Sequence, residues 1–239
     1  SNYRIRGFSG FPELAEMVQL AEEHGLPVID DLGAGSLVDL TLFGLPHEPT
    51  VQDSLRDGAS VTTSSGDKLI GGPQAGVITG SKDLIDRIRR HPLARALRVG
   101  KMTLATMAAT LRLFLEDREY IIRNHPVYAM FAAEPEELEE RAGALLELLE
   151  LPDGCAAEVI PTDSYVGSGS LPDTAIPSFG VGVTAPDPDA LARRLRLGSP
   201  AVASRVEDGL LKLDVRTLLP GEAETLAGLL KREAASLWA

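Results

Sequence analysis

A chain of 239 residues with 44% hydrophobic and 24% charged residues can bury a sizeable core in one large domain or two smaller ones, and none of its apolar runs is long enough to span a bilayer. Its net charge of −12 argues against a broad nucleic-acid surface, which needs clustered Lys and Arg. Cys155 is the only cysteine, which excludes an internal disulfide and a cysteine-based zinc site. His24, His47, His91 and His125 are scattered without metal-ligand spacing and read as surface or helix-end residues. No charged-then-apolar signal peptide opens the chain, so the cytoplasm is the expected location.

The opening "SNYRIRGF" has no initiator methionine and reads as the tail of a strand entering a loop. The chain is therefore expected to be the C-terminal part of a longer protein. From Phe11 to His24, Leu14, Met17, Val18 and Ala21 fall at helical spacing, and His24-Gly25 is a C-cap signal. "LPVIDDLGAG" is a short apolar strand ending in carboxylates and a glycine turn. "VQDSLRDGA" predicts a short helix, "SVTTSS" a strand, "AGVITG" another strand, and "SKDLIDRIRRH" a helix capped by Ser81. This rhythm predicts an α/β sheet with its chemistry at the strand C-termini.

Residues 102–123 predict one long helix, and "EPEELEERAGALLELLE" a second. Beyond them the texture changes to the strands "CAAEVIPTDS" and "SFGVGVTA", the helix "DPDALARRLRL", and "VASRVEDGLLKLDVRTL", in which "EDG" marks a hairpin turn. "LAGLLKREAASLWA" reads as a terminal helix. The expected organisation is a first domain over residues 1–125 and a small α+β domain over 126–239, with the boundary between Asn124 and Glu134.

Two strand ends carry the chemistry. Asp31 follows an apolar strand, and Lys68 follows the next one inside "SSGDKLIGG". A carboxylate facing a ring nitrogen keeps that nitrogen protonated. A shielded lysine amine is nucleophilic and can form a Schiff base with an aldehyde. Ser65 can offer a hydroxyl and an N–H to a phosphate, and glycines such as Gly66 let the backbone approach it closely. Together these are the parts of a pyridoxal phosphate site. The plain alternative is a structural glycine turn in "DLGAGS" and a solvated lysine. Between Ser81 and Lys101, seven basic residues stand against two acidic ones, an anion-attracting segment in an acidic chain.

"SNYRIRGF", "DLGAGSLVDL", "SSGDKLIGGPQAGVITG", "HPLARALRVGKMTLATMAATLRLFL" and "GSGSLP" resemble, in this order, the bacterial L-seryl-tRNA(Sec) selenium transferases (selenocysteine synthases). The resemblance runs from residue 1 to about residue 172, and "SGDKLIGGPQAG" and "RALRVGKMTLA" are its most specific parts. It implies the fold-type I pyridoxal phosphate-dependent transferase architecture, like aspartate aminotransferase. This chain would supply the second half of the large domain and the small α+β domain of a homo-oligomer, a ring of dimers. It also implies roles. Lys68 would be the lysine that binds the cofactor. Asp31, or its neighbour Asp30, would pair with the pyridine nitrogen. Ser65 and Gly66 would meet the cofactor phosphate, and Asp67 would handle protons beside the reacting centre. Arg95 and Arg98, on one helix face at i, i+3 spacing, would bind the phosphate of selenophosphate, with Lys101 extending the patch. In fold-type I enzymes a small-domain arginine often holds the substrate carboxylate, a role open to Arg205 or Arg216 but with little to do here because the seryl carboxyl is esterified to tRNA. The "GSGS" of residues 167–170 resembles a loop near the active site, a plain turn being the alternative.

The activity implied is conversion of L-seryl-tRNA(Sec) to L-selenocysteinyl-tRNA(Sec) with selenophosphate, by β-elimination to an aminoacrylate and selenium addition. Most tRNA contacts would come from an N-terminal region outside this sequence. Two other readings stay open: a paralogous pyridoxal phosphate lyase or transferase acting on a small amino acid or amino sugar, and a non-catalytic anion-binding scaffold.

Overall fold

The computed structural model describes residues 7, 10, 12–167 and 170–238, so the strand tail expected over "SNYRIRGF" lies outside the described residues apart from Gly7. The chain divides into two compact units, residues 1–132 with 166–174 and residues 133–165 with 175–239.

The first unit contains α1 (Leu14–Glu23), β1 (Ile29–Gly33), α2 (Val51–Arg56), β2 (Val61–Ser65), β3 (Gly76–Gly80), α3 (Lys82–Arg90), α4 (Pro92–Ala96), α5 (Lys101–Leu113), α6 (Arg118–Asn124) and α7 (Pro126–Ala132). Its sheet has the order β1-β2-β3. β1 and β2 run parallel with Asp31 opposite Thr63, whereas β2 and β3 run antiparallel with Ser65 opposite Gly76. A parallel pair needs a crossover, and α2 lies in it. Thr50 starts that helix with a capping box in which its hydroxyl accepts the Asp53 N–H and the Asp53 carboxylate accepts the Thr50 N–H. The Thr50 hydroxyl, then the Thr50 amide, hold the Asp53 carboxyl below the usual aspartate value.

Three local expectations need correction. The single helix expected over 102–123 is two helices, because Asp117 accepts the Tyr120 N–H at 2.8 Å and caps a new start. The apolar spacing continues across this break, so periodicity alone conceals it. Ser81 holds the N-cap position of α3, yet its side chain makes no capping bond. Finally, α7 is an additional short helix, opening on Pro126, where a missing N–H costs nothing.

The second unit contains α8 (Pro135–Leu148), β4 (Ala156–Tyr165), β5 (Ala175–Thr184), α9 (Pro188–Leu197), β6 (Arg205–Glu207), β7 (Leu210–Asp214) and α10 (Glu222–Trp238). Its sheet is antiparallel throughout, in the order β4-β5-β7-β6. The hairpin turn at Asp208-Gly209 has φ of 54° and 75°, as a type I′ turn requires. Leu138 and Leu145 of α8, Val181 and Val183 of β5, Leu191 of α9, Leu211 of β7 and Leu230 of α10 are fully buried in one core. Each contributes about 2 kcal/mol relative to exposure. Among the described residues, no helix is long and apolar enough to cross a membrane.

Candidate functional site

Because β1 and β2 are neighbours and parallel, the residues that follow them leave the same end of the sheet. Successive side chains on a strand point to opposite faces, so Asp30 and Asp31 do different things. The Asp30 carboxylate accepts the Ser54 hydroxyl of α2 at 2.6 Å. On the other face Asp31 accepts the Thr63 hydroxyl of β2 at 2.7 Å and stays exposed. Asp30 is thus committed to the crossover helix, and Asp31 is the carboxylate open to a ligand.

The "DLGAGS" loop packs directly on the strand that leads to Lys68. Gly35 has φ of +69°, and a Cβ there would lie 2.7 Å from Ser64 Cβ and 3.1 Å from the Ser65 carbonyl. Ser65 ends β2, half-buried, and Gly66 is buried behind it. The Gly66 N–H donates to the Ala75 carbonyl and its own carbonyl accepts the Gly72 N–H, both at 2.8 Å, which closes the loop at its base. Between those bonds Asp67 is exposed and Lys68 half-buried, and Leu69 and Ile70 go into the core. The Lys68 carbonyl accepts the Gly71 N–H at 2.9 Å, and the Leu69 N–H donates to Ala34 of the "DLGAGS" loop at 3.3 Å. The two loops are therefore bonded to each other.

Below the turn, Tyr128 of α7 donates its hydroxyl to the Leu69 carbonyl at 3.2 Å. His125 lies 2.9 Å through Nε2 from the Ile70 carbonyl; a carbonyl only accepts, so Nε2 carries the proton. Burial pushes the Tyr128 phenol up to about 12, against an opposing contact with Ser36, so it remains a donor at ordinary pH. His125 is a helix-end residue as expected but not a surface one, being only 3% exposed. No spacing in the sequence links residues 125–128 to residues 69–71, so these contacts were invisible there. Gly71 has φ of +66° and a Cβ on it would sit 2.3 Å from the His125 ring. Gly71→Ala is expected to destabilise the first unit by about 3 kcal/mol, through the left-handed backbone and the clash together, read as a fall in the urea midpoint.

The basic residues are arranged differently from the expectation of one helix face. Arg95 lies on α4, which ends at Ala96, Arg98 follows in irregular chain, and Lys101 opens α5. Leu97 is the C-cap of α4 and Gly100 is the N-cap of a new helix, so i, i+3 geometry does not connect Arg95 and Arg98. All three side chains are exposed. Arg98 lines an open apolar groove of about 920 Å³ with Ile29, Val61, Ile78, Ile88 and Leu97. Ile29 precedes Asp31 by two residues, so the groove uses the same face of β1 that carries Asp31.

Arg205 donates to the Thr162 hydroxyl at 3.0 Å and the Asp163 carbonyl at 2.8 Å, and Arg216 is buried. Both are engaged within the second unit. In the "GSGS" stretch, Ser168 and Gly169 lie outside the described residues, while the Ser170 N–H donates to the Gly167 carbonyl at 3.0 Å in a turn. Among the described residues, no group of three or more His, Cys, Asp or Glu could hold a metal ion.

The model of the family described as L-seryl-tRNA selenium transferase matches residues 1–219. The chain belongs to the L-seryl-tRNA selenium transferase family. Its relatives in this family include the L-seryl-tRNA(Sec) selenium transferases of Moorella thermoacetica, 47% identical over 95% of this chain and 49% of the relative, and of Rhizobium meliloti, 44% identical over 96% and 50%. The chain spans about half the length of the curated relatives it matches. Among solved structures, D-glucosaminate-6-phosphate ammonia-lyase superposes with a TM-score of 0.59 at 20% identity, over 99% of this chain and 56% of that one. The fold is that of the fold-type I pyridoxal phosphate-dependent enzymes, the class expected from the sequence.

Proposed function

We propose that this chain supplies the lysine-bearing half of a pyridoxal phosphate-dependent enzyme that converts L-seryl-tRNA(Sec) to L-selenocysteinyl-tRNA(Sec). The observation that carries the reading is the pairing of an anchored, half-buried Lys68 with the open carboxylate of Asp31 at one end of a parallel strand pair, in a member of this family. The residues present fit the cofactor. They offer an amine, a carboxylate and the Ser65 hydroxyl, on a loop that Gly66 closes with both of its backbone groups.

When bound, pyridoxal phosphate supplies a ring that withdraws electrons from the substrate Cα. Lys68 holds the cofactor and moves the Cα proton, and Asp31 keeps the ring nitrogen protonated. Ser65 binds the cofactor phosphate through its hydroxyl, and Gly66, whose N–H and carbonyl are both engaged in closing the loop, supports it from behind. Asp67, exposed beside Lys68, serves as a second proton-handling group. Arg95, Arg98 and Lys101 bind selenophosphate by charge-assisted contact with its oxyanion. Overall, the seryl hydroxyl is replaced by selenium and phosphate is released. The working enzyme is a cytoplasmic homo-oligomer, a ring of dimers, whose main tRNA contacts lie in the part of the relatives that this chain does not cover. The two units described above correspond to the remainder of the large domain and the small domain.

The test uses the complete polypeptide that contains this chain, with seryl-tRNA(Sec) and selenophosphate. Formation of selenocysteinyl-tRNA is expected. Inert seryl-tRNA alongside turnover of a free amino acid or amino sugar would favour the lyase reading, and no spectral change with pyridoxal phosphate would favour a scaffold. In the same assay Asp31→Asn is expected to lower kcat by at least about a hundredfold, as loss of a strong electrostatic partner does. Asp30→Asn, which keeps an acceptor for Ser54, should cost less than about fivefold. The reverse order would transfer the ring-nitrogen role to Asp30.

A further inference from the structure

We propose that His125 and Tyr128 are positioning residues that fix the direction in which Lys68 is presented, by holding the carbonyls of the two residues after it. This rests on the reading of Lys68 as the cofactor lysine. Three consecutive carbonyls are held in this turn: that of Lys68 by the Gly71 N–H, that of Leu69 by the Tyr128 hydroxyl, and that of Ile70 by His125 Nε2. The peptide planes immediately after Lys68 are therefore fixed in orientation, and the Leu69 N–H to Ala34 bond fixes the turn against the neighbouring loop.

The surroundings argue against packing alone. Tyr128 is wholly buried against the rings of Phe43, Phe114 and Phe131 at centroid distances of 5.6 to 5.8 Å, and His125 lies 4.9 Å from it edge-on. A phenol and an imidazole cost more to bury in such a cluster than phenylalanines, unless each finds a partner. The Tyr128 hydroxyl and His125 Nε2 find it on the same turn, one and two residues past Lys68, while His125 Nδ1 is buried without a hydrogen bond among the described residues. Each side chain donates to a buried carbonyl that its loss would leave without a donor, so the pair is tied to the orientation of these two peptide planes. Gly71 belongs to the same device, because only a residue without Cβ lets the His125 ring approach the turn.

The experiment compares the wild-type complete polypeptide that contains this chain with Tyr128→Phe, His125→Phe, His125→Gln and, as a packing control, Phe131→Leu, which alters the cluster but touches no turn carbonyl. Amide hydrogen exchange is measured across residues 68–72. Pyridoxal phosphate is the probe for lysine reactivity, fixed by borohydride, with attachment at Lys68 expressed relative to the exposed Lys82. Tyr128→Phe and His125→Phe are expected to speed exchange about tenfold and to lower the Lys68/Lys82 ratio about three- to tenfold, consistent with loss of one hydrogen bond each. His125→Gln, which retains a donor, should recover part of the ratio, and Phe131→Leu should lower the melting temperature without moving it. Unchanged exchange and ratio in Tyr128→Phe and His125→Phe, or an equal change in Phe131→Leu, would overturn the positioning role while leaving Lys68 as the cofactor lysine. A wild-type chain that takes no label at Lys68 would overturn the lysine reading instead, and the exchange rates would still decide whether the two side chains hold the turn.

Discussion

Lys68→Ala is expected to abolish selenium transfer by the complete polypeptide, by more than about a thousandfold in kcat, because it removes both the amine that holds the cofactor and the group that moves the Cα proton. Lys68→Arg should be nearly as inactive, since a guanidinium keeps the charge but is neither nucleophilic nor able to give up its proton. That pair of variants separates covalent and proton chemistry from simple electrostatic attraction. Neither should unfold the chain. The turn is held through its backbone and through the buried Leu69 and Ile70, so the urea midpoint should move by less than about 1 kcal/mol equivalent. An active Lys68→Arg enzyme would reduce the lysine to a charge, and the assignment would fail.

Arg216→Ala is expected to have the largest effect on stability, about 3–5 kcal/mol of the second unit, read by urea unfolding. The Arg216 guanidinium is 4% exposed and donates to the Ala133 carbonyl at 3.0 Å and the Pro177 carbonyl at 2.6 Å. Desolvation pulls it below the usual arginine range, and the charge of Asp214 is the main term opposing that shift. Asp214 is itself satisfied by the hydroxyls of Ser164 and Ser178 and by the Arg216 N–H. Truncating the arginine leaves two carbonyls without donors and a carboxylate without its counter-charge, three penalties at one place. Arg205→Ala, in a more exposed position, should cost less than about 1 kcal/mol. A comparable loss in both would mean that burial is not what distinguishes them.

Arg216 also shows where reading the sequence reaches its limit. An arginine in a strand-rich small domain invites comparison with the carboxylate-holding arginine of other fold-type I enzymes, although an esterified seryl group has no carboxylate to hold. Only the fold reveals that its donors are directed to Ala133 and Pro177, because those partners are 83 and 39 residues away. The same holds for the choice between Asp30 and Asp31. Adjacent carboxylates are equivalent in a string of letters, and the strand pleat separates them by giving one to Ser54 and the other to Thr63.

What was legible depended on local chemistry. The β1, β2 and β3 strands, the α2 crossover and the Asp208-Gly209 hairpin follow from apolar runs and turn residues within a few positions of each other. The glycines of "DLGAGS" and "DKLIGG" were visible as glycines, but their reason is tertiary: Gly35 meets Ser64, Gly66 meets Met107, and Gly71 meets His125. The helix break at Asp117 and the end of α4 before Arg98 were hidden because apolar spacing and high helix propensity continue across both. Propensity is a weak prior there, and at Asp117 a capping carboxylate decided the outcome.

Peptide mapping after borohydride reduction of the complete polypeptide with pyridoxal phosphate tests the central claim most directly. One pyridoxyl group per chain is expected, on the peptide that contains Lys68. A label on Lys82 or Lys101 instead, or none at all, would contradict it.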